Sequence, residues 1–299
     1  MKIRIGFGLG TGTSVGGGTG FADLVDGLEA NRFDSLWLSE RVTGGAVDPI
    51  VGLSVAAGRT TKLKLGFSVL VLPGRNPVLL AKELASLDHL SNGRLLPAFG
   101  LGVADGDEQQ AFGVERTERA KRFDEALPLL RRLWSEESVD HDGTFFSYRG
   151  MSIRPKPVQS PLEVWLGGRA PSELRRVGRL GDGWLPSFCS PAEAASGRIV
   201  VEEAAASAER EIEGEHWGAL VIYNRDEALP ERLAAVLQAR RPDGDPSEVV
   251  PSGLPALRAQ LERFCEVGFS KFVLVPAAEP ASWADELGEV AAEVLPLQN

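Results

Sequence analysis

The chain has 299 residues, with 34 Gly, 6 Trp, 3 His, 2 Cys and a formal charge of -10 at pH 7. Its Lys and Arg are spread along the sequence, which argues against a nucleic-acid partner, since a phosphate-binding face needs clustered positive charge. His89, His141 and His216 lie far apart, as do Cys189 and Cys265, so the sequence shows no metal-ligand spacing, no disulfide framework and no Cys/His nucleophile. Any chemistry on this chain requires a borrowed reagent. Glycine exceeds its average share of roughly 7%, which implies a backbone that turns sharply or approaches something closely.

The longest apolar run, about 65–73, is far shorter than a membrane helix, and glycines break the N-terminal MKIRIGFGLG where a signal peptide would be apolar. A reducing cytoplasm is the expected setting. Length alone does not decide between one domain and two, because α/β barrels often exceed 250 residues as a single unit.

Short apolar runs alternate with longer amphipathic stretches, the pattern of parallel β/α units. In chain order, strands are expected at 3–7, 35–39, 64–70, 95–99, 163–166, 184–187, 217–223 and 271–275. Helical patterns lie between them at 20–31, 48–58, 77–90, 116–134, 171–181, 191–213, 229–240 with 254–267, and 281–295. Asp48-Pro49, Asn76-Pro77, Ala170-Pro171 and Ser190-Pro191 punctuate helix starts. Eight alternations favour a (β/α)8 TIM barrel over an open doubly wound sheet. The first strand-to-helix turn also lacks the G-x-G-x-x-G of a dinucleotide fold, since Gly6, Gly8, Gly10 and Gly12 merely alternate.

The Gly/Thr/Ser segment 8–20 reads as a mobile surface loop, with a substrate-covering lid as the alternative. Residues 137–162 depart from the alternation as a short β excursion ending in RPKPVQSP, an insertion after the fourth helix. Segment 240–255 reads as a long crossing loop within the same barrel, so a single domain over 1–299 is expected.

A barrel places its site at the C-terminal ends of the strands. There the sequence offers Ser39-Glu40-Arg41 after strand two, and Ser68 to Pro77 after strand three. Strand four is followed by Gly100 to Gly106, where missing side chains let a planar or phosphorylated ligand approach the backbone. Gly167-Gly168-Arg169-Ala170-Pro171 after strand five opens a helix, with backbone N–H groups and a dipole suited to a phosphate. Glu40 has a second reading, as a structural ion pair with Arg41 or a neighbouring Arg.

The ordered set FDSLWLSE (33–40), TTKLKLGFSVLVLPGRNPVLLAKELASLDHLSNGR (60–94), FGLGVADGDEQQAFG (99–113), RTERAKRFDEALPLLRRLW (116–134) and VWLGGRAPSELRRVGRLGDGW (164–184) resembles the bacterial luciferase-like superfamily. Its resemblance is greatest to the branch of F420-dependent oxidoreductases. The resemblance implies a (β/α)8 barrel with an insertion between strands four and five, a homodimer, and reduced flavin or F420 across the barrel mouth. It further implies a non-proline cis peptide at Ser68-Val69 supporting the cofactor ring. Carried over by position, Ser39, Val71, Gly102, Val103 and Ala104 border the ring and ribityl chain, Gly167, Gly168 and Ala170 meet the phosphate, and Gly183 and Trp184 shape the same wall. Where sugar-phosphate dehydrogenases of the family carry an Asp-His pair and a Glu, this chain has Ser39-Glu40 and Asp105, a departure from sugar-phosphate oxidation and from light emission.

Hydride transfer needs a donor ring held against its substrate and a group to manage the proton. Glu40 and Asp105 are the candidate catalytic carboxylates, Glu40 the stronger, because burial beside an apolar ring raises a carboxyl pKa. The expected activity is F420-dependent hydride transfer with a small organic molecule. The alternatives are an FMN-dependent two-component monooxygenase and a cofactor-binding barrel without catalysis; a two-carboxylate glycosidase leaves the turn at Gly167-Gly168 without a purpose.

Overall fold

The computed structural model describes residues 1–242 and 244–299; Asp243, inside the expected crossing segment, lies outside the described residues. Among the described residues eight parallel strands alternate with helices. They are β1 (Arg4–Leu9), β2 (Ser35–Leu38), β3 (Lys64–Phe67, resuming at Leu70–Val71), β4 (Leu95–Leu96, resuming at Ala98–Gly100), β5 (Trp165–Leu166), β6 (Gly183–Trp184), β7 (Gly218–Tyr223) and β8 (Lys271–Pro276). Neighbouring strands pair in sequence order from β1 to β6, and β7 pairs with β8, which pairs with β1. Parallel bridges Trp184 to Trp217 and Ser187 to Leu220 join β6 to β7 and close the (β/α)8 barrel.

Strand residues alternate between the barrel interior and the surrounding helices, as a period of two requires. In β1, Ile5, Phe7 and Leu9 join the outer core with Leu24, Leu28 and Phe33, while Gly6 and Gly8 face inward. The interior is filled by Trp37, Ala98, Trp165, Leu185, Val273 and Val275. Two indoles fit only because the strands beside them lack side chains. A Cβ on Gly66 would lie 2.3 Å from the Trp37 ring, and one on Gly183 would lie 2.5 Å from the Trp165 ring. Trp37 Nε1 donates to the buried Ser35 hydroxyl at 2.8 Å, so its polar edge is also satisfied.

The helices are α1 (Gly17–Ala30), α2 (Pro49–Arg59), α3 (Pro77–Leu90), α4 (Gly106–Phe112), α5 (Arg119–Ser135), α6 (Pro171–Leu180), α7 (Pro191–Ala206), α8 (Glu231–Arg240), α9 (Leu254–Glu266) and α10 (Trp283–Val294). Three differ from the sequence pattern. The short α4 precedes α5, whose start is later than expected, and α7 ends seven residues before 213. Helix α1 begins at Gly17, and Val15 is only 2% exposed, so the segment expected as a mobile loop is partly packed.

The β excursion is an antiparallel hairpin, Val139–Asp142 with Ser147–Met151, between α5 and β5. Glu125 of α5 holds its turn: the carboxylate accepts from the N–H groups of Thr144 (3.0 Å), Phe145 (3.0 Å) and Phe146 (2.9 Å). Those donors and His141 keep the Glu125 pKa below its ordinary value despite the opposing effect of partial burial.

Candidate active site

The break in β3 is the centre of the mouth. The Ser68-Val69 peptide bond is cis, as the family resemblance implies. Residues at the end of β2 hold it from one side: Ser39 Oγ donates to the Ser68 carbonyl at 2.8 Å, and the Glu40 N–H donates to the Val69 carbonyl at 3.2 Å. The Glu40 carboxylate then reaches one residue further, accepting from the Val71 N–H at 2.7 Å and pairing with the Arg75 guanidinium. Arg75 Nε donates to the Val71 carbonyl at 3.1 Å, so Arg75 and Glu40 grip both polar groups of Val71.

This geometry corrects the first role expected of Glu40. Both of its oxygens are engaged and its side chain is 4% exposed, so it is the structural ion pair of the second reading, with Arg75 rather than Arg41. Burial raises its pKa, and the Arg75 charge and the Val71 N–H only partly offset that rise.

Val69 projects into the mouth between two glycines. A Cβ on Gly100 would lie 2.5 Å from Val69 Cγ2, and one on Gly167 would lie 3.2 Å from Cγ1. Sequence position thus brings the ends of β3, β4 and β5 together around one apolar side chain. Above it, Gly102, at φ +78°, packs on Val71, while Val103 and Ala104 are exposed at the rim. The turn is pinned from below by Arg119 of α5, which donates to the carbonyls of Gly102 and Val103, each at 2.9 Å. Burial lowers the Arg119 pKa, with Arg116 contributing in the same direction.

Asp105 also has a structural duty in place of the expected chemical one. It is the N-cap of α4, accepting from the N–H groups of Asp107 (3.1 Å) and Glu108 (3.2 Å), and its other oxygen faces Arg41 Nη2 at 3.3 Å. The capping signal was present in the spacing Asp105 to Glu108. Glu108 itself, 3% exposed, accepts from the Thr43 N–H at 2.9 Å and the Thr43 hydroxyl at 2.8 Å, tying the β2 loop to α4.

At β5 the N–H groups of Arg169 and Ala170 are taken. Glu173, three residues into α6, accepts from them at 3.0 and 2.9 Å. Two N–H groups at the helix start are therefore taken by its own carboxylate, which corrects the expectation of free donors at Arg169 and Ala170. Gly168, at φ +103°, passes close to Glu173, and a Cβ on it would lie 2.8 Å from that side chain. Arginines surround this turn: Arg169 lies 3.8 Å from Glu193, Arg241 donates to Glu193 at 2.6 Å, and Arg240 stacks on Phe188 at 5.0 Å. Burial lowers the Arg240 pKa, and the like charge of Arg169 lowers it further.

Gly183 and Trp184 do not line the mouth. Gly183 faces the Trp165 ring inside the barrel, and strand alternation sends Trp184 outward against Trp217 and Phe269, where it is 1% exposed. Its contribution is indirect: Nε1 donates to the Gly168 carbonyl at 2.9 Å and fixes the turn from behind.

A profile of the luciferase-like monooxygenase family matches residues 3–260. The chain belongs to this family. Among its curated relatives, an F420-dependent glucose-6-phosphate dehydrogenase of Kineococcus radiotolerans is 32% identical over 55% of this chain and 51% of its own. The chain thus spans about half the length of the curated relatives it matches first. An F420-dependent glucose-6-phosphate dehydrogenase of Beutenbergia cavernae is 28% identical over 90% of both chains. Among solved structures, an F420-dependent secondary alcohol dehydrogenase superposes over 100% of both chains with a TM-score of 0.82 at 19% identity, a likeness of fold. Relatives of this chain include a protein named as an F420-dependent dehydrogenase and one named as a monooxygenase.

Three residues of this luciferase-like site were missed in the sequence. Arg75 was legible only as part of the PGRNP turn, Arg119 only as one Arg among several in α5, and Glu173 as the third residue of a helix that begins at Pro171.

Proposed function

We propose that the chain is an F420-dependent oxidoreductase that moves a hydride between the deazaflavin and a small organic substrate. The observation that carries this reading is the seat at Val69, where Gly100 and Gly167 leave an apolar side chain facing the mouth. A planar ring would lie against Val69, whose side chain is held beside Gly100 and Gly167 because neither neighbouring strand end carries a side chain. When bound, F420 supplies the hydride chemistry; the chain supplies position.

In this account Ser39, Ser68 and Val69 present the ring-facing backbone, and Val71, Gly102, Val103 and Ala104 form the adjoining rim. Glu40 and Arg75 are positioning residues that hold Val71 and, through it, the strand carrying Val69. Gly167 and Gly168 give the phosphate room, and Arg169 and Arg240 supply positive charge in place of the two amides that Glu173 occupies. A phosphate beside two like charges relieves their repulsion.

The chain is further proposed to be a single barrel domain acting as a homodimer in a cytoplasm. The exposed apolar side chains Val51 and Val55 on α2 and Leu79 on α3, at 63%, 46% and 63% exposure, are the surface offered for self-association. Two free cysteines, Cys189 and Cys265, suit a reducing compartment. No helix among the described residues is long and apolar enough to cross a membrane.

The test is anaerobic mixing of the protein with reduced F420 and a panel of carbonyl and conjugated organic compounds, followed by F420 absorbance. Oxidation of F420 in the absence of oxygen, at the expense of one panel member, is the expected result. Turnover that requires oxygen and reduced FMN would assign the FMN-dependent monooxygenase reaction instead, and saturable cofactor binding with no turnover of any kind would make the protein a non-catalytic binder.

A further inference from the structure

Helix α5 opens on Arg119, and by local rules this is a poor place for it. A cation at the first residue of a helix opposes the helix dipole. Glu118, the cap residue, makes no capping hydrogen bond, and the first turn holds no acidic side chain. Burial disfavours the ionised form of Arg119, Arg116 adds a like charge, and Glu173 acts the other way. Its Nε is buried with no hydrogen-bond partner. A residue that breaks several local rules at once is expected where function requires it.

What Arg119 does instead is hold one turn of the mouth. Its Nη1 donates to three successive carbonyls, those of Leu101 at 3.3 Å, Gly102 at 2.9 Å and Val103 at 2.9 Å. A trans peptide is planar, so each carbonyl and the N–H that follows it point in opposite directions. Drawing these carbonyls to one side therefore turns the N–H groups of Gly102, Val103 and Ala104 to the other. None of those three N–H groups donates to a protein acceptor among the described residues. Gly102 permits the curvature at φ +78°, and it packs so closely on Val71 that a Cβ would lie 3.1 Å from Val71 Cγ1. Val71 is itself gripped by Glu40 and Arg75, so the turn is fixed on two sides.

We propose that Arg119 is a positioning residue for the cofactor ring, holding the β4 turn so that the N–H groups of Gly102, Val103 and Ala104 are offered to the oxygen-bearing edge of that ring. The inference rests on the reading of the Val69 seat as a ring site. It applies to a deazaflavin and a flavin alike, since both rings carry carbonyl oxygens along one edge. Arg119 acts through the turn, not by contact. Donors fixed in advance lose little conformational freedom on binding, whereas a released turn must be ordered by the ligand. An arginine suits the task because its rigid fork presents several donors at once, where a lysine presents a point charge on a flexible stem.

Fluorescence titration of the whole protein with F420 and, separately, with FMN tests this, alongside Tm by calorimetry. Arg119→Met keeps the stem and removes both the charge and the donors. It is expected to weaken binding of whichever cofactor the parent chain takes by about tenfold, the loss of about one good hydrogen bond. Tm is expected to change by less than about 3 °C, because the unfavourable charge at the α5 start goes as well. Arg119→Lys, which keeps the charge without the fork, is expected to recover little of the affinity. Amide hydrogen exchange gives an independent readout: the cofactor should protect the segment 102–104 in the parent chain and not in Arg119→Met. Unchanged affinity in Arg119→Met, full affinity in Arg119→Lys, or a Tm loss of several degrees with binding intact would overturn the proposal. A parent chain that binds neither F420 nor FMN would instead refute the cofactor reading on which it stands, and this inference with it.

Discussion

Gly66 and Gly100 stand on adjacent strands and both omit a side chain, yet the space each leaves is used in opposite ways. At Gly66 the space is already filled, by the Trp37 indole that forms the middle of the barrel core. At Gly100 it surrounds Val69 at the rim, where the protein ends. The lower level is close-packed and has no freedom to give; the upper one is a polar clamp around a half-buried valine. High glycine content therefore reports packing at the floor and access at the mouth, and stability and binding should respond separately to substitutions at the two levels.

The largest effect is expected at the floor. Gly66→Ala drives a methyl into the Trp37 ring, and overpacking of this kind costs about 3 kcal/mol or more, roughly 6 to 12 °C in Tm for a chain of this size class. Differential scanning calorimetry measures it. An unchanged Tm would mean that Trp37 can move aside and that the floor is not tightly packed.

Next is the clamp. Arg75→Ala strips Glu40 of its charged partner in a site where its side chain is 4% exposed and that of Arg75 20%, with an expected cost of about 2 kcal/mol at neutral pH, the size of a hydrogen bond to a charged group. The sign with pH follows from burial. Glu40 has a folded pKa above its ordinary 4.5, so its contribution to stability is fully present below that value and is lost as pH rises through the folded pKa. Without Arg75 the folded pKa rises further. The deficit relative to the parent chain should thus be greatest at neutral pH and shrink on acidification towards 4.5; urea titrations at several pH values would show it, and a deficit that grew on acidification would contradict it.

At the mouth, Gly100→Ala should leave Tm within a few degrees of the parent while weakening F420 binding about tenfold, since the added methyl displaces Val69 rather than a packed ring. Val69→Ala in the same chain should restore binding. A Tm loss equal to that of Gly66→Ala would erase the distinction between the levels. The smallest effect is expected at Glu173→Gln, which keeps a capping oxygen but removes a negative charge from the α6 start; a rise in F420 affinity of about threefold, with a Tm change near 1 to 2 °C, corresponds to the usual size of such charge effects.

Much of the architecture was readable in advance because strand alternation, helix punctuation at Pro49, Pro77, Pro171 and Pro191, and the spacing of apolar runs are local properties. Family resemblance added the cis bond at Ser68-Val69 and the seat beneath it. The roles of the charged residues were less readable. Glu40 and Asp105 stand at strand ends, where a barrel keeps its chemistry, but an ion pair between Glu40 and Arg75 or a cap by Asp105 depends on a partner that only the folded loop delivers. Trp184 was misplaced for a simpler reason: a shift of one residue along a strand exchanges inside for outside, and β6 begins at Gly183 rather than Trp184. Glycines at 66, 183 and 218 gave no hint of their indole neighbours, because the strand register that sets Trp37 beside Gly66 and Trp165 beside Gly183 forms only in the folded barrel.

The central claim is that the Val69 seat, bounded by Gly100 and Gly167, holds a deazaflavin. Equilibrium fluorescence titration of the purified protein with F420 and, separately, with FMN tests it most directly. The account predicts saturable F420 binding that is tighter than FMN binding and is weakened by Gly100→Ala. Saturation by FMN with no F420 binding, or F420 binding that Gly100→Ala leaves unchanged, would contradict it.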